Sequence, residues 1–262
     1  LRASRQDYRL EAIPTARRFA LDAGWLGRRR HIVHGLVEVD VTEARRLMRQ
    51  HRAATGERLS FTAFVVHCLG TALAEHPHAH AYRNWRNQLV LFDEVHINTM
   101  IEVVKDGRKV PMPYIFRAVV RKTYWELHDE LRAAQARPAG TQESRFMDWF
   151  LRVPAPLRRL FYWAVMRVPQ WFRTYSSSVM VTAVGMFGRR GFWAITMPNF
   201  TLTVAVGGIT EKPGVVEGRI EVREYLHLTV SIDHDIVDGA PAARFGRTFV
   251  DLLEQGHGLD LR

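Results

Sequence analysis

The residues with the greatest capacity for chemistry lie in one short stretch near the C-terminus, 226–240. Leu226, Leu228, Val230 and Ile232 alternate with His227, Thr229, Ser231 and Asp233, a period-two strand pattern that delivers His234 to a sheet end. A tight turn follows at Asp238-Gly239, then a helix opened by Pro241. Imidazole titrates near neutral pH, so a histidine held between a strand end and a helix start is suited to take a proton and return it. Asp238, four residues on, has three readings: it fixes the turn, caps the helix, or holds a nearby arginine. Taken alone, the pair reads first as a loop histidine and a helix cap, since caps far outnumber catalytic acids.

The elements that must position these residues follow from periodicity and punctuation. A strand is expected at 36–41, then a helix at 42–54 with Thr42 as its N-cap and Gly56 as its stop. A second, mostly apolar helix covers 62–74 and places Cys68 on its buried side. Strands follow at 88–91 and 95–104, ended by the turn Asp106-Gly107, and a helix at 123–136. Two aromatic-rich helical pieces, 144–153 and 157–168, are divided by Pro154-Ala155-Pro156. In the second, Leu157, Leu160, Phe161, Ala164 and Val168 share one face with Arg158, Arg159 and Arg167 off it, which predicts burial of the apolar side. Strands return at 178–184, 201–206, 219–222 and 225–233, and the last helix spans 241–253. Strands and helices mix without strict alternation, which predicts an α+β layered fold.

Composition narrows the setting. The 262 residues are 47% hydrophobic and 24% charged, enough apolar surface for a sizeable core in one domain spanning 1–262, with 1–30 as an irregular N-terminal arm. A lone cysteine excludes an intrachain disulfide, and the first residues carry no apolar run of a signal peptide, so a cytoplasmic location is expected. Lys and Arg number 37 against 27 Asp and Glu, an excess that suits nucleic acid, an anionic membrane or a phosphate-rich cofactor. The arginines are scattered (Arg28 to Arg30, Arg158-Arg159, Arg189-Arg190), so each cluster reads equally as a solvated face. No basic aromatic platform indicates a nucleic-acid role. His76, His78 and His80 lack a completing cysteine or carboxylate, so no metal is expected. The spacing of Gly185, Gly188 and Gly191 is not that of a dinucleotide loop.

The stretch around His234 resembles the His-x-x-x-Asp-Gly signature of the dihydrolipoyl acyltransferases of 2-oxo acid dehydrogenase complexes and of chloramphenicol acetyltransferase. The resemblance continues, in order, through Val37-Glu-Val-Asp-Val-Thr42, Leu73-Ala-Glu-His-Pro77, the stretch 178–188 and Ala242-Ala-Arg-Phe245, and so covers about 14–255. It implies a chloramphenicol acetyltransferase-like two-layer fold, a mixed sheet with helices packed on it. It implies further that His234 is the general base, deprotonating a thiol or hydroxyl acceptor that attacks an acyl-coenzyme A thioester. Thr182 falls where the family carries the hydroxyl that stabilises the tetrahedral oxyanion; read alone, it is a β-branched strand residue. Asp238 is structural in the resemblance, paired with an arginine in the region of Arg17 and Arg18. Homotrimers with the site between subunits, and possible larger assemblies, are implied as well.

Three departures qualify what the resemblance implies. No lipoyl domain with its Asp-Lys-Ala turn stands before the catalytic region, so the expected acceptor is free or carried by a separate lipoyl protein or dehydrogenase complex, with no covalent lipoyl group on this chain. The family's Asn-Pro-Pro turn reads Met197-Pro198-Asn199. The stretch 144–173 is longer and more aromatic than the family's. It reads first as a helical insert packed on the sheet or a neighbouring subunit, with a lid over a hydrophobic acceptor tunnel or a contact with an anionic membrane as alternatives. The rival to an enzyme is a catalytically inactive trimeric core or scaffold of a dehydrogenase-type complex.

Overall fold

Two strands of fifteen residues, β7 (Leu202–Val216) and β8 (Arg219–Asp233), carry the sheet that presents the site. They meet at Glu217-Gly218, where positive φ angles of 49° and 79° form the two-residue turn that matches the natural twist of a hairpin. The structure is a computed structural model describing residues 9–14, 17–28, 30–105, 108–136, 149–185, 191–197 and 199–260. Its other elements are α1 (Arg17–Gly27), β1 (Ile32–Asp40), α2 (Thr42–Thr55), α3 (Phe61–Glu75), β2 (Tyr82–Arg83), β3 (Leu89–Val90), β4 (Ile97–Lys105), β5 (Arg108–Phe116) and α4 (Tyr124–Ala136). After these come α5 (Ala155–Arg167), α6 (Pro169–Tyr175), β6 (Val179–Ala183) and α7 (Gly239–Glu254). The turn expected at Asp106-Gly107 and most of the piece expected at 144–153 lie outside the described residues.

The main sheet has six strands in the order β1-β8-β7-β6-β4-β5. β6 runs parallel to both of its neighbours and the other pairs are antiparallel, so the sheet is mixed. Strand alternation divides the side chains into two sets. Val179, Val181, Leu202, Val204, Leu226 and Leu228 enter the hydrophobic core beneath the helices. α3 is buried almost all round, packs between α4 and α7, and starts where the Ser60 hydroxyl accepts from the Ala63 N–H at 3.2 Å. These layers confirm the α+β, helices-on-sheet architecture.

Several local expectations change. The residue at the N-cap of α2 is Val41; Thr42 is the first helical residue, and its hydroxyl bonds Asp40 and accepts from the Glu224 N–H at 2.8 Å. β5 has no counterpart in the sequence reading, because Pro111 and Pro113 argue against a strand. It is tolerated because β5 is the sheet edge, where a missing N–H breaks no second ladder. The strands expected at 219–222 and 225–233 are one strand, and 201–206 extends to Val216.

The second sheet face is covered by α1, by residues 191–197 and by the aromatic insert, whose helices are α5 and the unforeseen α6. The expected orientation of α5 holds only in part: Phe161 faces the protein and Arg167 is exposed, but two leucines and one arginine depart from it. Leu157 and Leu160 are more than half exposed while Arg158 is buried, its Nε donating to Asp22 Oδ2 of α1 at 2.7 Å. Arg158 also donates to the Leu151 and Val153 carbonyls, so every edge of the guanidinium that enters the protein meets an oxygen. Phe172 of α6 stacks on Tyr82 with ring centres 4.4 Å apart, which seats the insert on the β2-β3 ribbon.

Candidate active site

β1 and β8 end together, with Ile32 opposite Asp233, and the next residue on each side closes the pairing: the His234 N–H donates to the His31 carbonyl at 2.8 Å. The N–H groups of Ile236 and Val237 return to the Asp233 carbonyl at 3.0 and 3.1 Å, and the Ala242 N–H donates to the Asp238 carbonyl at 3.0 Å. The backbone of the turn is therefore hydrogen-bonded on both sides of His234 while the histidine itself is exposed. A base must be fixed at its root and open at its tip, and His234 meets both conditions.

Charged groups brace the same turn. Asp233 is almost fully buried, and its Oδ2 accepts from Arg30 Nη1 at 2.8 Å. The backbone N–H of Asp235 donates to Asp233 Oδ1 at 3.2 Å, and Asp235 Oδ1 lies 3.0 Å from His31 Nδ1. Arg30, His31, Asp233 and Asp235 were not singled out as site residues in the sequence. The only signal was the arginine cluster itself, and nothing local distinguishes Arg30, with a side chain only 15% exposed, from the exposed Arg28.

Asp238 stands at the N-cap position of α7, exposed, and its side chain makes no capping bond. The ion pair expected between it and Arg17 or Arg18 is not formed within the protomer. Arg17 is exposed, and Arg18 donates through Nη1 to the Leu151 carbonyl at 3.1 Å, toward the insert. Two other arginines reach the histidine turn: Arg30, twelve residues after Arg18, pairs with Asp233 before His234, and Arg83 Nη1 lies 3.9 Å from Asp235 Oδ2 after it.

Thr182 lies on β6, half-buried, on the face turned away from the helix core. It stands opposite Ala205, which stands opposite Thr229, five residues before His234. Five residues along a strand and two strands across make a separation of about 19 Å. One protomer therefore does not bring His234 and Thr182 together.

The glycines near Thr182 act by close approach. A Cβ on Gly185 would sit 1.9 Å from the Gly207 carbonyl oxygen, and one on Gly191 would sit 2.0 Å from Cε1 of His227. Gly185 thus lies directly on the bulge in β7, and Gly191 on a buried histidine. Both ring nitrogens of His227 are engaged, Nδ1 3.0 Å from the Gly208 carbonyl and Nε2 3.2 Å from Glu38 Oε1, which leaves it a structural histidine. Among the described residues no cluster of His, Cys, Asp or Glu could hold a metal, and no helix is long and apolar enough to cross a membrane. Burial pushes the Cys68 thiol well above its ordinary range, consistent with a core residue.

One cavity reaches the turn at Asp233, Asp235 and Ile236 and a second adjoins the first, while His234 itself lines neither. The first, of about 190 Å³, is also bounded by Arg83. The second, of about 840 Å³, lies between the insert and the face of β4 and β6. They share Leu26, Arg30, Met166 and Asn199 as walls.

With this geometry in place, the sequence matches the family described as 2-oxoacid dehydrogenases acyltransferase (catalytic domain) over residues 31–151 and 174–259. The chain belongs to this family. His234, Asp238 and Thr182 fall within the matched residues, whereas α5 and the first five residues of α6 fall in the gap between them. A curated relative, the dihydrolipoyllysine-residue acetyltransferase component of the pyruvate dehydrogenase complex of Corynebacterium glutamicum, is 23% identical over 236 residues, covering 84% of this chain and 29% of its own length. The chain spans less than half the length of the first curated relatives it matches. Among solved structures, the cubic core of a pyruvate dehydrogenase multienzyme complex superposes with a TM-score of 0.69 at 18% identity, over 98% of this chain and 96% of that one. A chloramphenicol acetyltransferase superposes with a TM-score of 0.52 at 16% identity, over 95% of this chain and 99% of that one, which establishes the shared fold.

Proposed function

We propose that this chain is a coenzyme A-dependent acyltransferase with His234 as general base. The observation that carries the proposal is the exposed His234 on a backbone-braced turn whose flanking Asp233 and Asp235 line a small cavity. The imidazole takes the proton of a thiol or hydroxyl acceptor, the resulting nucleophile adds to the acyl thioester carbon, and the tetrahedral adduct expels the coenzyme A thiolate. The imidazolium returns its proton to that sulfur. A thiol with a pKa of about 8.5 needs no stronger base, so the histidine suffices.

The oxyanion requires a donor, and Thr182 takes that role in this reading on the resemblance of its stretch to the family's. Because about 19 Å separates it from His234 along the sheet, the reading places the site between two copies, His234 facing Thr182 of a neighbour in a homotrimer. The β7-β8 hairpin supports contact between copies: Val215, Ile220 and Val222 are at least 70% exposed at its tip, beyond the end of β1. Assembly beyond a trimer, and a separate lipoyl-carrying protein as acceptor, belong to the same reading.

The test is release of free thiol from acyl-coenzyme A against a panel of acceptors that includes dihydrolipoamide. His234→Ala should lower turnover by about a hundredfold or more with the fold retained. Equal rates in both proteins would establish the scaffold instead.

A further inference from the structure

The cavity under the insert has the features of a substrate chamber rather than a packing fault. Its volume, about 840 Å³, lies within the ~300–1,000 Å³ typical of small-molecule sites. Ala23 of α1, Phe161 and Val165 of α5, Phe172 of α6 and Met180 of β6 give it apolar walls. The roof is held down by the buried Arg158–Asp22 pair and by the stack of Phe172 on Tyr82. Anchoring of this kind keeps the roof apart from the sheet beneath it. Residues 152–173, which form the roof, lie outside the stretches matched to the family.

Among the described residues, three polar atoms lining the chamber have no protein partner, Thr99 Oγ1, Asn199 Oδ1 and Thr201 Oγ1, and Thr201 is the one bonded through its backbone to the strand that carries the histidine. Thr201 is 1% exposed, its hydroxyl has no hydrogen-bond partner, and strand alternation turns it away from the core side occupied by Leu202 and Val204. Its own carbonyl accepts from the Asp233 N–H at 2.8 Å, so Thr201 stands directly beside the turn that carries His234.

We propose that this chamber binds a linear apolar chain whose polar end is held at Thr201, and that the enzyme therefore prefers a long-chain substrate to an acetyl-sized one. The inference rests on the acyltransferase reading for its catalytic consequence, although chain binding does not. An alkyl chain could belong to the acyl thioester or to the acceptor, and the two sources share the same chemistry in the chamber.

Two kinetic series distinguish them: acyl-coenzyme A esters from two to sixteen carbons with a fixed thiol acceptor, and n-alkyl thiols of the same lengths with acetyl-coenzyme A. In one series kcat/KM should climb by about fourfold per added methylene until the chamber is full, the factor equivalent to ~0.8 kcal/mol of burial. Ala23→Phe, which fills the chamber, should lower the long-to-short preference at least tenfold. A calorimetric titration of dodecanol into His234→Ala protein reads binding without turnover, and Thr201→Val should weaken that binding several-fold without lowering Tm. Flat length dependence in both series together with no dodecanol binding would overturn the proposal, even if His234→Ala abolishes transfer. Dodecanol binding in a protein whose His234→Ala variant turns over normally would sink the catalytic reading and leave the chamber standing.

Discussion

If the site is shared between copies, two inactive variants should rescue one another. His234→Ala removes the base, and Thr182→Ala removes the oxyanion donor, each at a cost of about 10² in rate or more. The register places the two residues about 19 Å apart within a protomer, too far for both to touch one tetrahedral centre. In a cyclic trimer each site takes its histidine from one subunit and its threonine from the next. Any mixed trimer of the two variants then contains a single place where a Thr182→Ala subunit, with intact histidine, is followed by a His234→Ala subunit, with intact threonine. One site in three is whole, whatever the composition. Trimers co-expressed with two different tags and purified on both should show about one third of native activity, against about one hundredth or less for either parent. Activity no greater than the parents', in trimers verified as mixed by mass spectrometry, would refute the shared site.

Other expectations follow from the ion pairs and the buried histidines. Arg30→Met leaves Asp233 buried without its partner and should cost about 3–5 kcal/mol in urea unfolding; a loss under 1 kcal/mol would mean the turn is held without it. Arg158→Met should cost a similar ~3–5 kcal/mol, with most of it recovered by adding Asp22→Leu, since the double variant strands no charge; equal losses in single and double variants would argue against the pair as the anchor. Burial, with His96 and His78 nearby, pushes the His80 imidazole down to about 4. In the unfolded chain that ring takes its proton near pH 6.5, so between those values the unfolded state binds more protons and stability falls as pH falls. The loss should approach 3 kcal/mol by about pH 4, and His80→Leu should flatten that part of the stability profile.

Much of this protein was legible in the sequence because it is written locally. The 226–240 stretch carries a strand period, a histidine, a turn and a helix start in sequence, and each reads from its neighbours alone. α2, α3 and α4 were likewise set by periodicity and by stops such as Gly56, whose φ of 78° few other residues adopt at low cost. The α+β class followed from the order of such segments, and the family from the order of short motifs.

What tertiary structure alone decided is which residues meet across long separations in the chain. Arg158 is buried and Leu160 exposed because Asp22, 136 residues away, supplies the countercharge. β5 is a strand despite two prolines because it has a neighbour on one side only. Arg30 braces the histidine turn because β1 and β8 end together, and Thr201 keeps an unpaired hydroxyl because an insert roofs the space before it. Periodicity reports which side of a segment is apolar. Whether that side meets a core, a cavity or solvent depends on the partner that folding sets against it, and no local pattern encodes that partner.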